Sequence, residues 1–206
     1  SLALKDILAL IVKGAHQVLD VDRIAVFLPA PDGKSLELRS LAGDPLPADA
    51  VRVPLAALGG GLAASFQRKE PVRLEEGQKI PPSLRLGPPA STEPFLRSRA
   101  FVAVPLVVKD RAVGVIAVDN KSRRGPIGEE QVNLLGIFAN QAAVAVGSTP
   151  ALIHLVGRRR AEAGVPVRLG IHGQAEPGHG HQVGVMDEAG RSAETRREAA
   201  GQACPR

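Results

Sequence analysis

The chain is expected to fold as an α+β domain, an antiparallel sheet with an amphipathic helix at each end. Three observations predict it. Residues 4–19 place apolar side chains at three- and four-residue spacing, and residues 129–146 read as a second amphipathic helix. Between them lie short aliphatic runs separated by turn residues. Two β-branched runs within residues 101–121 flank a polar turn at Lys109-Asp110-Arg111, which is the pattern of a β-hairpin.

In the first helix the stripe is Leu4, Ile7, Leu8, Ile11, Val12, Ala15, Val18 and Leu19, and it ends at Asp20. A short apolar strand follows at 23–28, then a turn at 29–33 built on Pro31-Asp32-Gly33. Residues 35–41 alternate apolar and polar, as a half-buried antiparallel strand does. Residues 51–55 form a third strand, and Pro54 puts it near an edge or end because proline cannot donate to a ladder. A glycine-led short helix spans 59–68, and 71–74 gives another strand. Residues 75–99 carry Pro81, Pro82, Pro88, Pro89 and Pro94, a length typical of a lid or binding loop. The hairpin comes next, then a polar loop with Gly125-Pro126, then the closing helix.

Composition bounds the function. The 206 residues are 44% hydrophobic, enough for a core, and nearly all of that is aliphatic: five Phe, no Trp, no Tyr. That scarcity of aromatics weakens any reading built on stacking, such as single-stranded nucleic-acid binding. The formal charge of +5 is scattered among acids, and no predicted helix face is densely basic, so neither nucleic acid nor membrane is expected as a partner. The single Cys204 excludes a disulfide framework within the chain and suits a reducing, cytoplasmic setting. No apolar run approaches the ~20 residues that span a bilayer, and Ser1–Asp6 does not resemble a secretory signal. A start at Ser1 rather than Met suggests a piece of something longer.

Composition changes after Val146. Residues 148–206 hold no Phe and no Lys, but eight Arg, nine Gly and four of the five His. Such a segment lacks the apolar area to offset its ordering entropy and is expected to be a low-order tail. His172, Glu176, His179 and His181 have ligand-like identities, but without a folded surround no metal site is expected. The phrase at 165–172 resembles a strand of class III nucleotide cyclases, so the tail is read as a remnant of a downstream effector domain; its one Asp, Asp187, cannot supply a cyclase's paired aspartates.

Four stretches in order, 19–28, 59–74, Val104-Pro105-Leu106 with 113–121, and 131–146, resemble the GAF domain over roughly residues 2–147. The resemblance implies a GAF-like, PAS-related six-stranded antiparallel sheet. Terminal helices would cover one face, often pairing with a second copy, and a loop-roofed pocket the other. It also implies a regulatory sensor module of a signal-transduction protein, non-catalytic, working on an effector domain in cis or in trans. Family ligands include cyclic nucleotides, haem, bilins and small metabolites, and the cofactor here stays unknown.

Cyclic-nucleotide-binding members carry Asn-Lys, a spaced Phe and Asp-Glu. Asn120 and Lys121 match the first pair, whereas Ile127 stands at the Phe position and Gln131-Val132 at the Asp-Glu positions. Lys121 can still pair with Glu129 or Glu130. Bilin attachment and sulfoxide-reducing chemistry need cysteines within the domain, and haem an axial ligand; the domain offers no Cys and only His16, on the polar flank of its helix. Gly59-Gly60-Gly61 lacks the Lys of a phosphate loop. The candidate ligand residues are Arg73, Phe95, Leu96, Arg97, Arg99, Asn120 and Lys121, with Arg73, Arg85, Arg97 and Arg99 suited to an anionic metabolite. No catalytic residue and no metal ligand is assigned. The second expectation is a ligand-free structural dimerisation module.

Overall fold

The structure is a computed structural model that describes residues 3–45, 47, 49–98, 100–123 and 125–149. The tail expected at 148–206 lies outside the described residues from 150 onward.

Helix α1 (Leu4–Leu19) leads into β1 (Arg23–Pro29) and β2 (Ser35–Ala42). The turn between the strands is fixed by Asp32, whose Oδ1 accepts from Lys34 N at 2.8 Å. Strand β3 is only Arg52–Pro54, then come α2 (Gly60–Arg68) and β4 (Val72–Leu74). Strands β5 (Phe101–Val108) and β6 (Arg111–Asp119) form the hairpin, and α3 (Glu129–Gly147) closes the domain. The hairpin turn is Lys109-Asp110 alone, with φ of 47° and 62°; Arg111 already belongs to β6 and pairs with Val108. Two consecutive positive φ values match the strand twist as the primed two-residue turns do.

The strands form a six-stranded sheet in the order β3-β2-β1-β6-β5-β4, and every pairing is antiparallel. Strand β3 with its Pro54 lies at an edge. Alternation along the strands makes two cores. On one face Ile24, Val26, Leu28, Val104, Leu106, Ile116 and Val118 pack with Leu8, Val12, Ala15 and Leu19 of α1 and Leu135, Ala139, Ala142, Ala143 and Val146 of α3. On the other, Ala25, Phe27, Ala103 and Val115 meet Leu36, Val53 and Ala63, with Leu86, Phe95, Leu96 and Phe101 half-buried around them. Helices α1 and α3 therefore form one layer, and the second face is left to α2 and the long connection from β4 to β5.

Candidate functional site

That connection lies across the second face. Its prolines limit φ and favour short tight turns, and three turns of 3-10 helix result: Pro82–Leu84, Ala90–Thr92 and Pro94–Leu96. It is fastened to the lead of α2 by a bridge between Gly59 and Leu86, by Gly60 N donating to Arg85 O (3.1 Å), and by Gly87 N donating to Leu58 O (2.8 Å). Gly60 has φ of +67°, which glycine adopts without strain. A Cβ on Gly61 would stand 2.3 Å from Phe101 Cζ, so glycine lets α2 press onto β5.

Under the connection is a cavity of about 590 Å³. Ala25 and Phe27 of β1, Ala117 of β6 and Phe101 of β5 line its sheet side; Gly59–Leu62 make a wall; Leu84, Leu86, Phe95 and Leu96 form the roof. Arg85 and Arg97 line it while largely exposed, which places them at its mouth.

Arg23 and Asp119 also line the cavity. They are register partners at the ends of β1 and β6. Arg23 is 5% exposed and grips Asp119 twice, Nε to Oδ1 at 2.9 Å and Nη2 to Oδ2 at 2.5 Å. Nη2 also donates to the Phe95 carbonyl at 3.1 Å, and Nη1 reaches Asp44 Oδ2 at 3.3 Å. The guanidinium carbon lies 4.6 Å from the centre of the Phe95 ring, within cation–π range. Burial alone would push the Arg23 pKa down, but the hydrogen bonds and charges of Asp119 and Asp44 outweigh it and hold it above its usual value.

The expected site residues separate into three groups. Phe95, Leu96 and Arg97 line the cavity, and Arg97 Nε donates to Ser91 O at 3.0 Å. Lys121, Asn120 and Arg73 do not line it. Lys121 Nζ donates to the Pro94 carbonyl (2.8 Å), so it holds the roof from outside. Asn120 is buried, accepts from Asp22 N through Oδ1 and donates to Gly125 O through Nδ2, both at 3.1 Å. Arg73 Nη2 donates to Ile127 O at 2.7 Å, and the side chain pairs with Glu75 and Glu129. Glu129 is thus taken by Arg73 and is not the partner of Lys121. Arg99 lies outside the described residues, as do His172, Glu176, His179 and His181. Among the described residues no group of three His, Cys, Asp or Glu could hold a metal ion.

Sequence reasoning missed Arg23 and Asp119. A charge that opens one aliphatic strand and a carboxylate that closes another read singly as solvated strand ends. Only the β1–β6 register brings them together. It also missed a clasp beside them. Asp22 Oδ2 accepts from the backbone N–H groups of Ser122 (2.6 Å) and Arg123 (2.8 Å), and Oδ1 meets Arg123 Nε at 2.8 Å. Burial would raise the Asp22 pKa, but these bonds and the Arg123 charge outweigh it and hold it below the usual carboxylate value. Arg123 also pairs with Asp20 at 2.7 Å. Gln131 completes the junction, its Oε1 accepting from Gly128 N (2.8 Å) and its Nε2 donating to Leu19 O (2.6 Å). His16, half-buried, places Nε2 3.2 Å from Asp22 O.

A six-stranded antiparallel sheet with a helical layer on one face and a loop-roofed cavity on the other is a GAF-like α+β architecture. The GAF domain profile matches residues 3–146, more than two thirds of the 206 residues, and the chain belongs to the GAF domain family. A methyl-accepting chemotaxis protein (residues 122 to 287) is similar at 32% identity over 76% of this chain and 93% of that one, with a TM-score of 0.65. The GAF domain of an Acinetobacter phosphoenolpyruvate-protein phosphotransferase shares 23% over 76% and 87%, TM-score 0.58. A free methionine-R-sulfoxide reductase from Neisseria meningitidis, in complex with its substrate, has the same fold at 18% identity over 70% and 78%, TM-score 0.54. No curated protein sequence matches the chain. Membership of this family, with a chemotaxis protein among the similar structures, puts the chain in the class of regulatory sensor domains. Among the described residues no helix is long and apolar enough to cross a membrane.

Proposed function

We propose that the chain is a non-catalytic, cytoplasmic GAF module that senses a small ligand in the 590 Å³ cavity and relays its occupancy through α1 and α3 to an effector domain, in cis or in trans. One observation carries the reading. Besides its backbone bonds to the lead of α2, the roof of the cavity is held by two cations. Arg23, the partner of Asp119 at the end of β6, is at the Phe95 carbonyl, and Lys121, which follows Asn120, is at the Pro94 carbonyl. From Asn120 the bonds run to Asp22 and Arg123, and the Gln131 side chain ties the start of α3 to the end of α1. A ligand that favours one roof position can therefore bias the helix junction, to the extent that its affinity differs between the two states.

The output surface is the outer side of the helical layer. Leu10 and Val18 of α1 are 62% and 58% exposed, and Ile137 and Val144 of α3 are 55% and 67% exposed. Exposed aliphatics on two neighbouring helices suit a second copy of the chain, giving a homodimer in which occupancy alters helix packing between subunits. Catalysis by thiol chemistry would need a resolving cysteine, and Cys204 is the chain's single Cys, outside residues 3–146.

The test is thermal unfolding of the full chain with cyclic AMP, cyclic GMP and a panel of anionic metabolites. Ligand at a hundred times its dissociation constant adds roughly 2.7 kcal/mol, a shift of several degrees. A midpoint that moves with one compound supports the sensor. A midpoint indifferent to the whole panel, in a chain that self-associates tightly, supports the ligand-free dimerisation module that the exposed helix faces favour.

A further inference from the structure

We infer that the ligand is an amphipathic carboxylate, a single oxyanion on a hydrocarbon body, with its head between Arg85 and Arg97; this rests on the reading of the cavity as a ligand site. The lining carries four charged side chains, Arg23, Arg85, Arg97 and Asp119. Two of them are already committed. Arg23 has four of its five N–H groups engaged, by Asp119, Asp44 and the Phe95 carbonyl. Asp119 in turn accepts from Arg23 through both oxygens and from Lys121 N through Oδ1. A ligand ammonium would find no carboxylate to receive it, so amines and zwitterionic amino acids are disfavoured.

The other two charges are open. Among the described residues Arg97 uses only Nε, on the Ser91 carbonyl, which leaves both terminal nitrogens for a ligand. The Arg85 guanidinium has no ion pair or side-chain hydrogen bond among the described residues, although its backbone is fixed by Gly60 N and Pro82 O. Two guanidiniums that line one cavity, neither ion-paired among the described residues, can take an oxyanion in the forked geometry that arginine provides.

Behind them, apart from the committed Arg23–Asp119 pair, the side-chain surface is largely hydrocarbon. Ala25, Phe27, Leu62, Leu86, Phe101 and Ala117 line the interior. The hydroxyls in the lining are those of Ser91 and Ser98, and Ser98 Oγ already donates to Ala100 O at 2.9 Å. A sugar or nucleobase buried there would leave several of its own polar groups unpaired, each at a desolvation cost. An alkyl or aryl body has none to leave.

The experiment measures binding to the full chain by calorimetry, with octanoate and 2-naphthoate as probes, octanol and 2-naphthalenemethanol as neutral counterparts, and octylamine as the cation. The acids should bind about tenfold more tightly than the alcohols at low salt, and the gap should narrow in 0.5 M sodium chloride because both arginines are solvent-facing. The double variant Arg85→Gln/Arg97→Gln should bring the acids down to the alcohols and leave alcohol affinity unchanged. Ala117→Phe should abolish binding of all probes, and Leu62→Trp does the same where Ala117→Phe fails to fold. Alcohols or amine binding as tightly as the acids, or a double variant that keeps the acid preference, overturns the inference and leaves the cavity a ligand site. Absence of binding by every probe, or binding indifferent to the cavity-filling variants, overturns the inference; the sensor reading falls with it only where the unfolding midpoint is also indifferent to the cyclic nucleotides and the metabolite panel.

Discussion

Arg23 is a full charge held at 5% exposure, and its surroundings decide what its loss does. Removing one member of a buried pair leaves the other uncompensated, typically at about 3–5 kcal/mol, whereas replacing both with apolar residues can be near neutral. Asp119→Ala should therefore destabilise strongly in urea titrations, while Arg23→Met/Asp119→Leu should fall within about 1–2 kcal/mol of the parent. A double variant as unstable as Asp119→Ala would show that the pair is more than a mutually neutralised contact. Asp22 gives a pH-dependent counterpart. Its carboxyl is more acidic folded than unfolded, so its stabilisation is present above the unfolded value, near 4, and fades as pH falls through the folded one. Asp22→Asn should cost about 1–2 kcal/mol at pH 7 and converge with the parent in acid; a difference that stays constant with pH would sink the charge argument. Gly43 lies close by, with φ of +99° and a position where a Cβ would stand 1.9 Å from the Asp22 carbonyl oxygen. No side chain fits there without moving β1.

At the scale of elements, periodicity carried most of the domain. The stripe through Leu8, Val12, Ala15 and Leu19 is buried against the sheet, and the two β-branched runs pair as the hairpin. These elements depend on local spacing, which is visible in one dimension. The 75–99 segment was legible only as a long proline-rich loop. Its order comes from partners distant in sequence, Gly60 to Arg85 and Leu58 to Gly87, which no local pattern encodes. The same limit hid the Arg23–Asp119 pair, separated by 96 positions. It also explains why Asn120 and Gln131, placed by resemblance near a ligand motif, bond instead to the β6–α3 loop and the end of α1. The aliphatics left over on the helices make their own prediction. Leu10→Glu and Val144→Glu should leave far-ultraviolet circular dichroism and the midpoint of unfolding nearly unchanged, because both side chains are exposed. By light scattering each should turn a dimer into a monomer; a chain that is monomeric to begin with, or variants that still dimerise, would remove this face as the interface.

For the molecule as a whole, the question is whether the roof and the helix junction move together. Among the described residues no backbone hydrogen bond joins them. The link runs by side-chain contacts from Phe95 to Arg23 and Asp119, along the chain to Asn120, through its bond to Asp22 N, and on to the end of α1 that Gln131 caps. Spatial continuity alone does not establish coupling, so a perturbation at one end must be read at the other. Phe95→Ala suits the purpose, since it removes the ring that stacks on Arg23 without touching the junction. Loss of a desolvated cation–π contact is worth about 1–2 kcal/mol, enough to change a local opening equilibrium several-fold. Amide hydrogen exchange should then quicken by that factor at Leu96 and Arg97, whose N–H groups bond within the roof, and also at Val132, whose N–H bonds to the Gly128 carbonyl at the start of α3. Faster exchange confined to the roof would mean that the pair at Arg23 and Asp119 absorbs the disturbance, and that α1 and α3 do not report what the cavity holds.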